Sequence, residues 1–188
     1  ILVISFKKYW KPLFYSSFIF TWLIYASWSA FSYQMEEHFT IACIFLTVFF
    51  AIFYASFLAY KLIKSEKFLK SDVVLMLLNS FLFYGFGYGL LSDHETGQHL
   101  LGVFTLGNAV IHFVVATVIF RKKLADRNLF YLISGLVLVF ITIAVPVQLD
   151  GNWVTLFWAF EAALLFWIGR IKNIPFYEKL SYPLMLLG

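Results

Sequence analysis

Hydrophobic residues fall in six long runs, roughly 13–32, 39–61, 72–92, 99–120, 128–148 and 152–170, separated by short polar connections. Each run is close to the ~20 residues with which a helix crosses a ~30 Å hydrocarbon core. Such runs are too long for barrel strands of about ten residues, and a chain in lipid must satisfy its own backbone hydrogen bonds, so the pattern predicts helices. Shorter apolar stretches flank them: Ile1–Phe6 reads as the end of an earlier run and Tyr182–Gly188 as the start of a further one. The expected architecture is an all-α polytopic transmembrane bundle, one domain over residues 1–188. It has six complete spans and a partial span at each end, as a window of a longer multi-span protein would. Short connections make successive helices antiparallel hairpins.

Charge gives this pattern a direction. All 14 Lys and Arg residues lie in four clusters, Lys7/Lys8/Lys11, Lys61/Lys64/Lys67/Lys70, Arg121/Lys122/Lys123/Arg127 and Arg170/Lys172/Lys179. They occupy every second connection, and the connections between hold Glu36/Glu37/His38, Asp93/His94/Glu95/His99 and Asp150, with no Lys or Arg. Because positive charge is retained in the cytoplasm during insertion, connections 7–11, 61–70, 121–127 and 170–179 are expected inside, and 33–38, 93–98 and 149–152 outside.

Composition narrows the classes further. Hydrophobic residues make up 62% of the chain and charged residues 13%, far from the balance of a soluble domain. The net charge of +4 is divided among the four basic connections and accompanies no base-reading motif, which argues against a nucleic-acid partner. Basic juxtamembrane clusters serve topology and contact with anionic headgroups. Cys43 is the one cysteine, so no intrachain disulfide can form.

Local signals agree with the runs. Ser71-Asp72 and Asn152 are placed to cap helix starts, and Trp10, Trp28, Trp153 and Trp167 fall near the membrane edges, where amphipathic rings are favoured. Helix association in lipid needs small residues or polar links. Ala51, Ala55 and Ala59 form one small face, and Gly85 and Gly89 in Tyr84-Gly-Phe-Gly-Tyr-Gly89 predict close helix packing rather than a phosphate loop.

Among polar residues in the interior of the runs, Glu161 is the one acidic group, and a central ionised carboxylate costs at least ~2.5 kcal/mol on insertion scales. His112 stands nine residues before Arg121, and Glu161 nine before Arg170. The two runs are parallel, so both groups belong at one depth, ~13 Å from the basic edge at 1.5 Å per residue. Asn108, one turn before His112, shares its face. A polar cluster of Glu161, His112 and Asn108, joined by Asn79 and Ser80, follows as an expectation. It has two readings: a proton relay or polar-substrate site, or a satisfied link that sets helix packing.

Asp93, His94, His99 and the other acidic residues of the outer connections could offer imidazole and carboxylate donors to a divalent cation. Their spacing matches no compact metal motif, and solvated connections are the simpler reading, so no metal or other cofactor is expected. Nucleophile-elbow, His-Glu-x-x-His and phosphate-loop patterns are absent.

The stretch Asp150-Gly-Asn-Trp153-Val-Thr155-Leu-Phe-Trp158-Ala-Phe-Glu161-Ala-Ala-Leu-Leu-Phe-Trp167-Ile-Gly169 resembles a signature of a bacterial family of predicted membrane proteins, domain-of-unknown-function family 2339. The resemblance extends diffusely over about 72–170. It marks Asp150, Gly151, Trp153, Thr155, Trp158, Glu161 and Gly169, implies a long multi-span protein of the bacterial cytoplasmic membrane, and carries no activity with it. Read physically, Asp150-Gly151 suits a tight turn and Trp153 an interfacial anchor, while Trp158 sets an indole on the face of Glu161. The function expected is a transport, channel or membrane-complex component with a polar layer around Glu161 and His112. The alternatives are a membrane-embedded enzyme acting on a lipid-linked or envelope substrate at the outer face, and a structural anchor. Expected partners are the bilayer, the rest of the polypeptide and other membrane subunits.

Overall fold

The computed structural model describes residues 11–64, 70–121, 127–149 and 152–187, and every regular element among them is an α-helix. In order these are α1 (Lys11–Phe31), α2 (Met35–Lys64), α3 (Lys70–Asp93), the single turn α4 (Glu95–Gln98), α5 (Leu101–Arg121), α6 (Arg127–Gln148), α7 (Asn152–Ile171) and α8 (Pro175–Leu187). The all-helical class is therefore as the hydrophobic runs predict.

Six complete spans are not what these helices offer. Four are long and apolar enough to cross a membrane: Met35–Leu58 in α2, Ser71–Asp93 in α3, α5, and Trp153–Ile171 in α7. α1 has the length, 21 residues, but is not among these four. α6 provides a shorter apolar stretch among its described residues, Ile133–Gln148. Some limits shift as well. α2 continues to 30 residues, ~45 Å at 1.5 Å per residue, and so exceeds the bilayer core or tilts within it. The expected run 99–120 begins only at Leu101, because α4 and the turn after it take up the preceding residues. Residues 182–187 belong to α8, which starts at Pro175; Ile1–Phe6, Trp10 and Gly188 lie outside the described residues.

The described residues form two compact units, one comprising those up to Gln98 with Thr117–Leu129, the other His99–Ala116 with those from Phe130 onward. In the first, α1 buries Phe14, Phe18, Trp22 and Tyr25, a stripe at helical spacing. Phe18 meets Phe53 of α2 edge-on at 5.2 Å, and Trp22 stacks on Phe86 of α3 at 6.1 Å. Polar links reinforce this aromatic core. The Trp22 indole donates to Asn79 Oδ1 at 3.2 Å, the Asn79 amide donates to the Phe50 carbonyl at 3.2 Å, and Tyr25 donates to the Ala42 carbonyl at 3.1 Å. Fully buried Asn79 thus ties three helices together.

The small residues of this unit are used differently from the sequence expectation. Ala51 and Ala55 are exposed on α2, and the side chain of Ala59 is outside the described set. A Cβ at Gly85 or Gly89 would meet nothing within 4 Å, so neither permits a close approach in the described structure. Bulky aromatic side chains fill the contact instead and keep the backbones apart. At Gly97 the approach is close: a Cβ there would lie 2.6 Å from the Leu91 carbonyl oxygen. Ser71 and Asp72 stand in the first turn of α3, with Asp72 buried.

In the second unit α5 buries Leu101, Thr105, Asn108, Ala109 and His112 along one face, and α6 buries Ile133, Leu136, Phe140 and Ala144. Gln148 at the end of α6 accepts a hydrogen bond from the Gly102 backbone N–H at 3.0 Å, satisfying one of the donors left open at the start of α5. Ala162 and Leu165 of α7 pack with Leu184 of α8.

Candidate functional site: the Glu161 node

α7 and α8 form a hairpin whose turn follows from local chemistry. Asn173 takes a left-handed conformation (φ 51°), the Ile174 N–H donates to the Gly169 carbonyl at 2.9 Å, and the Asn173 N–H donates to the Arg170 carbonyl at 3.4 Å. This is the paired bonding of a Schellman ending, with Asn as the left-handed residue, and Pro175 then starts the next helix. Gly169 permits the hairpin to close: a Cβ there would lie 2.7 Å from the Glu178 backbone nitrogen. Arg170 Nε lies 3.5 Å from Glu178 Oε1, an ion pair exposed on the Arg170 side.

A little over two turns before Gly169, Glu161 lies half-buried against α6. Its Oε1 is 2.8 Å from the Thr142 hydroxyl oxygen, and the same oxygen is 2.9 Å from the Leu138 carbonyl. The Trp158 indole donates to the Thr142 carbonyl at 3.2 Å, so both the side chain and the backbone of Thr142 are held to α7. A hydroxyl has one proton and can also accept. With Glu161 ionised, Thr142 donates to the carboxylate. With Glu161 protonated, the acid donates to Thr142, which donates to Leu138. Both protonation states are thus served by one arrangement of atoms.

His112 is fully buried, and its ring stacks parallel to Phe140 with centroids 5.3 Å apart. Asn108 is buried one turn earlier and donates to the Phe104 carbonyl at 2.9 Å; its Oδ1 has no hydrogen-bond partner among the described residues. Asn79, expected in the same cluster, belongs to the first unit and uses its amide on Trp22 and Phe50; Ser80 donates to the Met76 carbonyl. Trp153 and Thr155 are exposed on α7, and Asp150 and Gly151 lie outside the described residues.

Equal depth predicted from the basic edges says nothing about lateral neighbours, and Thr142 was not among the expected site residues. The sequence held a signal for it. Counted from Asp150, Thr142 stands eight residues before and Glu161 eleven after, which puts them within ~5 Å of one depth on adjacent antiparallel helices.

In the first unit, His94 stacks on Phe39 with centroids 4.0 Å apart, and its Nδ1 lies 3.0 Å from the Thr96 hydroxyl. Asp93 contacts Ser92, and His99 is exposed in a turn. No group of three His, Cys, Asp or Glu residues suited to a metal ion occurs among the described residues.

The model of a family described as predicted membrane protein, DUF2339, matches residues 1–187. The chain belongs to this family. The match to DUF2339 covers α1 to α8, well beyond the 150–169 signature and the diffuse resemblance over about 72–170, and it agrees with the apolar helices in making this a membrane protein. No curated protein and no solved structure matches the chain.

Proposed function

We infer that this DUF2339 chain is a component of a membrane transport or channel assembly in which Glu161, seated on Thr142, accepts and releases a proton inside the bilayer. His112 and Asn108 are the further polar groups of that layer. The observation carrying this reading is the Glu161–Thr142 contact at 2.8 Å, which suits both the acid and the carboxylate within a helix apolar enough to span. A purely architectural link would need only one protonation state. Intramembrane ionisable groups commonly mark ion or proton pathways.

The charge alternation supports an arrangement in which the basic connections are cytoplasmic and α1 and α6 cross together with the four apolar helices, in a bacterial inner membrane. Infrared titration of the purified protein tests the role of Glu161. A carboxyl absorption that disappears on deprotonation, and that is missing in Glu161→Gln but kept in Glu161→Asp, is the expected result. In liposomes, Glu161→Gln should abolish proton uptake; uptake unchanged from the native chain would remove this residue from the pathway.

A further inference from the structure

A groove of about 270 Å³ runs along α6 and α8 in the second unit, walled by Gly135, Leu138, Thr142, Leu165, Leu180 and Leu184 among others. From Gly135 to Thr142 on α6, and from Leu180 to Leu187 on α8, it extends about two turns, ~10 Å. Thr142 is the one polar side chain in a wall otherwise made of aliphatic residues, Gly and Pro. Glu161 stands one turn before Leu165 on the same face of α7, and its carboxyl touches the Thr142 hydroxyl. One end of an apolar channel therefore abuts a carboxyl group. Among the described residues, that carboxyl has Thr142 as its hydrogen-bond partner and no Lys, Arg or His within ion-pair distance.

A carboxylate in this setting is stabilised by a proton or by a cation that replaces it. An inorganic ion gains nothing from the aliphatic wall and loses its hydration. A cation carrying a linear alkyl chain gains on both counts, since the chain removes apolar surface from water or headgroup and the charge meets Glu161. Anionic amphiphiles meet like charge, and neutral ones leave the carboxylate uncompensated.

We propose that the α6/α7/α8 groove binds an amphipathic alkyl cation, chain along the Leu wall and positive headgroup at Glu161, in competition with the proton there. This rests on the reading of Glu161 as a titrating group. Because one carboxyl serves both ligands, binding of the cation releases the proton, and protonation weakens cation binding by the same coupling.

The probe is decyltrimethylammonium, whose charge does not change with pH, measured by equilibrium binding to the purified full chain in nanodiscs, alongside infrared titration of the Glu161 carboxyl. Binding should weaken about tenfold for each pH unit below the Glu161 midpoint. Glu161→Gln should abolish it. Gly135→Leu, which fills the groove, should reduce binding while the Glu161 carboxyl still titrates. A titrating carboxyl without probe binding overturns the cation proposal and leaves the proton role standing. Absence of a titrating carboxyl overturns the proton role itself. Binding retained in Glu161→Gln, as for a lipid acyl chain filling the groove, also overturns the proposal.

Discussion

Asn79 and Glu161 are both polar residues in apolar helices, and their neighbours assign them different work. Asn79 has both ends of its amide engaged, by Trp22 and by the Phe50 carbonyl, with full burial in an aromatic core. It holds three helices. Asn79→Leu should leave the Trp22 indole N–H without its partner, remove the second bond to the Phe50 carbonyl, and cost ~0.6–2 kcal/mol, read as a lower melting temperature in detergent. Glu161 keeps a hydroxyl partner that works in either protonation state. Thr142→Val should therefore preserve the fold and shift the infrared titration of the Glu161 carboxyl; an unmoved midpoint would show that Thr142 has no part in the proton equilibrium. The isolation of Glu161 in its run was legible from the residues alone. Which side chain meets it was not, because spacing reports height along a helix and says nothing of rotation about it.

At the scale of elements, the α7–α8 hairpin accounts for one family-signature position in physical terms. Gly169 faces the backbone at Glu178, and the Schellman ending at Asn173 turns the chain so that Arg170 and Glu178 pair. Gly169→Ala places a methyl 2.7 Å from a backbone nitrogen that cannot rotate away. A cost of roughly 1–3 kcal/mol follows. The groove beside Thr142 should open as α8 shifts, which a spin-label distance between the two helices would detect as a longer and broader distribution. At the glycines more conspicuous in the sequence, Gly85 and Gly89, a Cβ would meet nothing within 4 Å. Their spacing resembles a close-packing motif, yet aromatic side chains set the separation of α1, α2 and α3, and a motif counted along one helix does not include the size of residues on the next.

For the whole molecule, the hydrophobic surface and the charge pattern must be satisfied together. α7 turns Trp153, Phe157, Phe160 and Trp167 away from its neighbours in the chain, with Trp153 and Phe160 62% and 67% exposed. Apolar rings at this exposure suit lipid or another membrane helix rather than water. Orientation is testable at this scale. In a Cys43→Ser background, a cysteine at Glu95 should react with an impermeant external reagent and one at Lys67 should react only after the membrane is opened. The opposite pattern would invert the bundle.

The sequence by itself determined that this chain is helical, membrane-embedded and related to DUF2339, because length, apolarity and charge act on each segment without reference to its neighbours. It also marked Glu161 as exceptional, since a carboxylate in an apolar run is costly wherever that run packs. Tertiary structure alone decided that Asn79 is a structural tie, that Thr142 is the seat of Glu161, and that an apolar groove ends beside that pair. Those outcomes depend on the rotation of each helix about its axis and on the bulk of the side chains between, which no single segment encodes.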